Sequence, residues 1–284
     1  MKESNKKPDS DRDSNWTRRQ FIKGLGVGVG LIAAGTIPGV STFASLASEE
    51  AVEENVAINM PDKSIWYAPS PPKHTRFGMV IDTKACIGCR KCVYACVKEN
   101  NIGRTSGFTY IQVLQMEHGS LELENGDLYY TEGGSPDHWY LPIQCMHCGH
   151  PPCVYGCPVK ATWKESDELV VMDYRKCISC KNCMIACPYF ARHFNWVEPR
   201  VPKSEINPAV PLHEKAGVVE KCTFCIHRVR KGMVTRCTEV CPVQARHFGN
   251  LNDPNSNVSR LLKTRRVFRL KEELGAEPRI WYVG

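Results

Sequence analysis

The stretch C-I-S-C-K-N-C-M-I-A-C-P, residues 177–188, places four cysteines in the spacing C-x2-C-x2-C-x3-C and ends in proline. The stretch C-I-G-C-R-K-C-V-Y-A-C, residues 86–96, has the same spacing, but Val97 follows it in place of a proline. The chain has 284 residues and 16 cysteines, and all 16 fall into four groups of four. Packing alone does not require so many thiols, so the groups indicate one repeated chemical role.

The four groups share a pattern of short elements around their cysteines. Proline follows the last cysteine of groups two, three and four, at Pro158, Pro188 and Pro242. An apolar stretch typical of a short strand precedes each group, at residues 77–81, 140–143, 169–172 and 217–219. The sequence therefore predicts the same unit four times: a strand, a cysteine loop and a short helix.

This spacing favours [4Fe–4S] clusters over two other uses of many cysteines. A tight C-x2-C-x2-C loop supplies three thiolates to one cluster, and in two-cluster ferredoxins the cysteine before proline binds the other cluster. Zinc sites use two C-x2-C pairs, which leaves the third and fourth cysteines of each group unexplained. A disulfide scaffold needs no such repetition, and a chain of this length needs no covalent staples.

An export signal is predicted at the N-terminus. T-R-R-Q-F-I-K, residues 17–23, matches the twin-arginine motif, and residues 24–47 carry no charge. The small residues of S-L-A, 45–47, predict cleavage after Ala47, with an uncleaved N-terminal anchor as the alternative. Because twin-arginine export implies a folded passenger, we expect cofactor insertion in the cytoplasm. The protein would then reside at the periplasmic face of the cytoplasmic membrane.

Three motifs within residues 77–250 resemble those of a known family: M-V-I-D-x-x-x-C-I-G-C, Q-C-M-H-C-G-H-P-P-C and E-K-C-T-F-C-I-H-R. The chain resembles the four-cluster iron–sulfur beta subunits of dimethyl sulfoxide reductase-type molybdopterin oxidoreductases. Its leader is most similar to those of exported members such as the tetrathionate reductase beta subunit. The resemblance implies an α+β fold of two nested bicluster ferredoxin-like folds with β-hairpin and loop insertions. It also implies four [4Fe–4S] clusters, with all 16 cysteines as iron ligands.

The resemblance further implies which cysteines share a cluster. Site 1 would take Cys86, Cys89, Cys92 and Cys241. Site 2 would take Cys222, Cys225, Cys237 and Cys96. Site 3 would take Cys145, Cys148, Cys153 and Cys187, and site 4 would take Cys177, Cys180, Cys183 and Cys157. The absent proline after Cys96 leaves the chain path there open.

The predicted organisation follows these sites. A signal peptide (1–47) and a linker (48–75) precede a first bicluster module made of residues 76–97 and 217–250. The second module comprises residues 140–194. The remaining segments are a β-rich insertion (98–139), an extended loop (195–216) and a C-terminal docking segment (251–284). Within the insertion, residues 108–115 alternate apolar and polar side chains. Asn125-Gly126 separates this stretch and residues 121–123 from residues 128–130, which predicts a small β-hairpin or a three-stranded sheet.

The resemblance implies a non-catalytic subunit that relays electrons between two partners, a molybdopterin catalytic subunit and a polytopic, quinone-reactive membrane subunit. The alternative is a ferredoxin-like subunit of a transmembrane complex with a quinone subunit and a multihaem cytochrome c, of the sulfite-reduction type. A self-contained iron–sulfur enzyme would need a cluster with only three protein ligands, which four complete groups disfavour. The sequence contains no nucleophile elbow or phosphate loop, and its net charge of +7 is too weak to indicate nucleic acid.

Polar side chains near the cysteines are expected to play supporting roles. Because the thiolates suffice, we expect no iron ligand among the nearby histidines, namely His147, His150, His193, His227 and His247. Positive charge near a cluster favours its reduced form. The cations beside the ligands are Arg90, Lys91, Lys181 and Lys221, with a solvated side chain as the alternative for each.

Overall fold

The structure is a computed structural model that describes residues 65–131, 134–213 and 215–284. The predicted signal peptide, residues 1–47, and most of the predicted linker, residues 48–75, lie outside this part of the chain. The described residues form a mixed helix and strand fold of ten short strands and six helices. No helix among them is long and apolar enough to cross a membrane.

The elements follow one another along the chain in this order. The first half contains β1 (Phe77–Asp82), α1 (Lys91–Glu99), β2 (Gln112–Glu117), β3 (His138–Ile143), α2 (Pro152–Tyr155), β4 (Thr162–Lys164) and β5 (Val170–Met172). The second half contains α3 (Asn182–Ile185), β6 (Arg192–Phe194), β7 (Val219–Lys221), α4 (Ile226–Val229), α5 (Arg236–Glu239), β8 (Arg246–Asn250), α6 (Asn257–Thr264), β9 (Val267–Phe268) and β10 (Ile280–Val283).

The largest sheet has the strand order β8-β1-β10-β9. β1 pairs antiparallel with β8 and parallel with β10, so strands distant in sequence meet at its centre. Ile280 and Tyr282 of β10 are fully buried, which places part of the predicted docking segment, residues 251–284, inside the chain's own core. The other sheets are the antiparallel pairs β2-β3, β4-β5 and β6-β7.

The hairpin predicted around Asn125-Gly126 is wrong. Residues Leu123–Asn125 form a single 3-10 turn, and only a bridge between Gln115 and Asp127 joins this region to β2. β2 pairs instead with β3 over six consecutive residues. That longer ladder pairs more backbone N–H and C=O groups in hydrogen bonds than a short local hairpin could. Leu123 packs in the main hydrophobic core.

The strands predicted before the cysteine groups are largely present. β1 and β3 cover the first two apolar stretches, β5 covers most of the third, and β7 begins at the last residue of the fourth. Helices after the cysteine loops are four residues long in groups two and three, where proline follows the last cysteine. In group one, Val97 lets α1 continue to Glu99.

Two hydrophobic cores enclose cysteines. The larger core contains Met79, Leu141 and Ile226 together with cysteines of groups one, two, three and four. A smaller core packs Val170 and Val219 against Cys153 and Cys183. The cysteine loops therefore lie between the apolar sides of the short sheets.

Candidate iron–sulfur centres

All 16 cysteines lie in the described part of the chain, and all are free thiols. Nine are buried and six are partly buried, while Cys180 is exposed. Burial among apolar side chains disfavours the thiolate, and it raises the pKa of Cys86 and of Cys187 to about 11. A metal ligand must be a thiolate, so cluster binding at these cysteines would displace protons from the thiols.

The four C-x2-C loops share one backbone conformation. The residue before the second cysteine has a positive φ in every loop: Gly88 (67°), His147 (44°), Ser179 (64°) and Phe224 (52°). Three of these are not glycine, so the loops hold side chains in a left-handed conformation that such residues seldom adopt. This shared turn curls each loop so that its cysteines face one side.

The cysteines of site 1 come together from both ends of the first predicted module. Cys86 is in electrostatic contact with Cys92 and Cys241, and Cys92 with Cys89 and Cys241. The pairing of β1 with β8 produces this meeting, because each strand leads into or out of one of the cysteine loops. These neighbours support the prediction that site 1 joins three cysteines from group one with the last cysteine of group four.

Site 2 is assembled in the reciprocal way. Cys96, at the end of group one, is in electrostatic contact with Cys222, Cys225 and Cys237 of group four. Burial, followed by these neighbouring thiols, raises the pKa of Cys96 well above its ordinary value. These neighbours support the predicted exchange of last cysteines between groups one and four.

The surroundings of the cysteines of groups two and three support the same predicted exchange at sites 3 and 4. Cys148 is in electrostatic contact with Cys145, Cys153 and Cys187, which completes the set for site 3. The four cysteines of site 4 line one cavity together with Ala161, Met172 and Val219; they are Cys157, Cys177, Cys180 and Cys183.

Electrostatic interactions between cysteines of different predicted sets link the four sites one after another. Cys96 of site 2 is in electrostatic contact with Cys92 of site 1. Cys222 of site 2 is in contact with Cys145 of site 3. Cys183 of site 4 is in contact with Cys153 of site 3. These interactions agree with the order site 1, site 2, site 3 and site 4 for the predicted sets.

The donor chemistry of each set fits a [4Fe–4S] cluster. Each site offers four free thiols on two separate segments, and a cubane cluster binds each thiolate to a different iron. Among residues 65–131, 134–213 and 215–284, no three His, Cys, Asp or Glu side chains converge so as to hold a single ion.

Backbone N–H groups donate to cysteine sulfurs after the C-P turns. Ala161 N donates to Cys157 Sγ over 3.2 Å, and Ala245 N donates to Cys241 Sγ over 3.3 Å. Both alanines stand four residues after the cysteine, in the repeated pattern C-P-x-x-A. Such donors stabilise the negative charge of a cluster and so influence its reduction potential.

Asn100 takes this role in group one, where proline is absent. It follows the extended helix α1, and its side chain is buried. Its Nδ2 lies 3.4 Å from Cys96 Sγ and 3.8 Å from Cys225 Sγ, two cysteines of site 2. Asn100 was not predicted from the sequence, because its significance depends on the helix continuing past Cys96.

Two arginines were also missed, although the sequence carried a signal for them. Arg192 and Arg246 occupy the same position in the repeat C-P-x-x-A-R-H-F, and both are almost fully buried. Arg192 Nη2 lies 3.0 Å from Cys153 Sγ, and Arg246 Nη1 lies 3.9 Å from Cys237 Sγ. The presence of arginine in both copies of the repeat could have identified them.

Three of the histidines near the cysteines bind other groups through a ring nitrogen. His227 Nε2 lies 2.7 Å from Glu99 Oε1, and His247 Nδ1 lies 2.9 Å from Asn257 Nδ2. His147 accepts from the N–H of Val170 at Nδ1, so its Nε2 carries the proton and donates to the Cys222 carbonyl.

His150 and His193 lie elsewhere. His150 Nδ1 is 3.6 Å from the carboxylate of Glu277 at the exposed surface. His193 stacks on Phe108 with 5.0 Å between ring centroids, and burial lowers its pKa to about 4.

The four predicted cations are in different environments. Lys221 is fully buried and its Nζ donates to the Cys222 carbonyl over 2.8 Å. Arg90 lies over the Tyr130 ring and Lys181 over the Trp196 ring, at 4.0 and 3.8 Å from the centroids.

Lys91, at the start of α1, is exposed. The solvated side chain is therefore the correct alternative for Lys91 but not for Lys221.

Comparison with known proteins adds the family context. The family described as 4Fe-4S dicluster domain matches residues 136–207 and 208–251. The B subunit of selenate reductase from Mesobacillus selenatarsenatis is 36% identical, over 96% of this chain and 99% of its own length.

Two further relatives come from archaea. A putative dimethyl sulfoxide reductase iron-sulfur subunit of Halobacterium salinarum is 41% identical, over 74% of this chain and 79% of its own length. Hdr-like menaquinol oxidoreductase iron-sulfur subunit 1 of Archaeoglobus fulgidus is 37% identical, over 73% of this chain and 82% of its own.

Proposed function

The chain belongs to the family of iron–sulfur subunits of the dimethyl sulfoxide reductase-type molybdopterin oxidoreductases, and we propose that it relays electrons through four [4Fe–4S] clusters. It is an electron-transfer subunit of an oxidoreductase complex. Sites 1 and 2 belong to one bicluster module and sites 3 and 4 to the other, in a nested arrangement. The chain itself carries out no substrate chemistry.

The row of four cysteine sets is the observation that supports this proposal. When bound, a [4Fe–4S] cluster accepts and releases single electrons. Cysteines at neighbouring sites interact electrostatically, namely Cys92 with Cys96, Cys145 with Cys222, and Cys153 with Cys183. Such contiguity is what a relay requires, because each electron must move between adjacent centres.

The ends of the row carry exposed apolar side chains. Around site 4, Ile178, Ile185 and Trp196 are exposed, Ile185 to 85%. Near site 1, Ile87 and Tyr94 are exposed as well. Large exposed apolar side chains grouped together mark protein interfaces. We assign these two ends to the partners: a molybdopterin-containing catalytic subunit at one and a polytopic quinone-reactive subunit at the other.

A second candidate is a relay in a complex of a quinone subunit and a multihaem cytochrome c, without a pterin enzyme. The similarity to a menaquinol oxidoreductase iron-sulfur subunit favours it. Both candidates place the chain beside a membrane protein. They differ in the partner at one end of the row.

The twin-arginine motif at residues 17–23 supports export to the periplasmic face of the cytoplasmic membrane. Replacing both arginines of the pair, Arg18 and Arg19, by lysine should leave the loaded protein in the cytoplasm. Fractionation with an antibody against the chain measures this. Unchanged periplasmic exposure to added protease in spheroplasts would refute export by this route.

Anaerobic purification of the wild-type protein tests the cluster content. We expect about sixteen iron atoms and sixteen acid-labile sulfides per chain, four of each for every cluster. Cys183→Ser and Cys237→Ser should each disturb one cluster, at site 4 and site 2, and change different components of the electron paramagnetic resonance (EPR) spectrum. A wild-type protein with half this iron, or with zinc in its place, would overturn the proposal.

Co-purification from native membranes in mild detergent distinguishes the two candidate complexes. A large molybdopterin subunit identified by mass spectrometry supports the first. A multihaem cytochrome with a polytopic subunit, and no pterin enzyme, supports the second.

A further inference from the structure

The duplicated sequence C-P-x-x-A-R-H-F brings an arginine to the first residue of two strands. Arg192 begins β6 and Arg246 begins β8, and each is only 3% exposed. Burying a guanidinium removes its hydration, which is costly unless an anion and hydrogen-bond acceptors replace the water. The neighbours of each arginine therefore show which groups take the place of its hydration water.

Arg192 is surrounded by sulfur atoms and one hydroxyl group. Its Nη2 lies 3.0 Å from Cys153 Sγ and 3.0 Å from Thr162 Oγ1, and its Nη1 lies 3.5 Å from Met172 Sδ. Its Nε is buried without a hydrogen-bond partner among the described residues. The hydroxyl and the thioether carry no charge, so only cysteine can provide an anion here.

Arg246 has the corresponding surroundings in the other module. Its Nη1 lies 3.3 Å from Gln144 Oε1, 3.7 Å from Met79 Sδ and 3.9 Å from Cys237 Sγ. Its Nη2 has no hydrogen-bond partner within the described ranges. The amide and the thioether are again neutral.

Neither arginine has a carboxylate partner in the part of the chain that the structure describes, where the ion pairs involve other residues. Arg230 is a direct contrast, since it is also buried but pairs with Glu165 and Asp167. Two buried arginines without a carboxylate need a different counter-charge.

The thiols that interact with each arginine belong to two sites. Arg192 is in electrostatic contact with Cys153 and Cys145 of site 3 and with Cys183 of site 4. Cys153, which Arg192 contacts directly, packs in one hydrophobic cluster with Cys183.

Arg246 interacts in the same way with the other pair of sites. It is in electrostatic contact with Cys92 and Cys86 of site 1 and with Cys237 of site 2. Arg192 therefore lies against a cysteine of site 3 and Arg246 against one of site 2, and each interacts electrostatically with the other site of its module.

We propose that Arg192 and Arg246 are internal counter-ions, each shared by the two clusters of its module, and that they raise the reduction potentials of both. The inference rests on the proposed four-cluster relay. A [4Fe–4S] core of charge 2+ bound to four thiolates has a net charge of −2, and one added electron makes it −3. A fixed guanidinium stabilises the more negative state more strongly, and protein interior screens it less than water would.

The test compares the neutral variants Arg192→Met and Arg246→Met with Arg192→Lys and Arg246→Lys, which keep the charge. Lys91→Met is the matched control, since Lys91 is a cation beside the ligands of site 1 but is exposed to water. Iron and sulfide are counted first. The midpoint potentials of the clusters are then measured by redox titration followed by EPR.

We expect Arg192→Met to lower the potentials of two clusters by at least about 59 mV, a tenfold change in their reduction equilibria, and to leave the other two unchanged. Arg246→Met should lower the other two. The lysine variants and Lys91→Met should change these equilibria by less than about threefold. Loss of two clusters in a methionine variant, with retention in the matching lysine variant, also supports a counter-ion.

Three results would overturn the inference. The first is a methionine variant with full iron content and unshifted potentials. The second is a shift confined to one cluster, which would exclude sharing. The third is equal cluster loss in the methionine and lysine variants, which would show that shape rather than charge matters. A wild-type chain that binds fewer than four clusters would instead refute the proposed relay, and iron analysis detects that before any titration.

Discussion

The ion pairs of Arg230 connect the two predicted modules, so their removal makes a sharp test of the fold. Arg230 follows helix α4 in the first module, and its Nε donates to Asp167 Oδ2 over 2.7 Å. Its Nη2 donates to Glu165, and its Nη1 donates to the Pro69 carbonyl over 2.8 Å. Glu165 and Asp167 belong to the turn between β4 and β5, in the second module.

Arg230→Met should destabilise the protein by about 3–5 kcal/mol, because it leaves two buried carboxyl groups without their cation. Burial already raises the pKa of Glu165 while Arg230 is present. In the variant the Glu165 carboxyl group would bind a proton in the folded state that it releases on unfolding. The loss of stability should therefore be smaller at pH 5 than at pH 8.

Anaerobic urea denaturation of the loaded protein measures this, followed by far-ultraviolet circular dichroism and by visible cluster absorbance. With a dependence on urea of about 3 kcal/mol per molar, the midpoint should fall by about 1 M or more. Arg236→Met is the control, because the Arg236–Glu239 pair is exposed on the surface, and such pairs contribute about 0–1 kcal/mol.

A combined variant separates the cost of unpaired charge from lost packing. Arg230→Met together with Glu165→Gln and Asp167→Asn removes all three charges, and it should regain most of the stability. Equal midpoints for Arg230→Met and Arg236→Met would refute the reasoning. So would a combined variant less stable than Arg230→Met alone.

Three further predictions concern the sites and their supports. Asn100→Leu removes a hydrogen-bond donor to two cysteine sulfurs. At about 1 kcal/mol for the lost hydrogen bond, the reduction potential of one cluster should fall by about 40 mV. An unchanged redox titration would contradict this. Burial lowers the pKa of His193 to about 4, so the free energy of unfolding should fall by on the order of 3 kcal/mol as the pH drops from 6.5 toward 4. The urea midpoint of the His193→Phe variant should therefore depend less on pH than that of the wild type. Gly88→Ala places a methyl group 2.5 Å from the Tyr140 ring at a φ of 67°, so this variant should bind less iron. The control Gly232→Ala, which has a φ of 80° but an open surrounding space, should keep the wild-type iron content.

The sequence predicted the position of single strands better than it predicted how the strands pair. The four strands before the cysteine groups were correct to within a few residues, because an apolar run before a tight loop is a local signal. The hairpin at Asn125-Gly126 was wrong, since the turn signal there competed with a distant partner, β3. The place of β10 beside β1 has no local signal at all.

The sequence by itself determined the number of cysteine groups, the spacing within each group and the proline turns after three of them. These are local properties, because a C-x2-C-x2-C loop positions its own thiols over a few residues. The proposed exchange of last cysteines between groups came from family resemblance, and it stays a prediction that the contacts of Cys96 and Cys241 support.

Only the tertiary structure decided which side chains lie against the sulfurs. Asn100 reaches Cys96 because α1 continues without proline, and Arg192 and Arg246 reach their thiols because both arginines are buried. The electrostatic environment of such a site depends on burial and on contacts between segments up to 167 residues apart, where water no longer screens the charge. Residue spacing does not reveal this loss of screening, because water is excluded only when distant segments pack together.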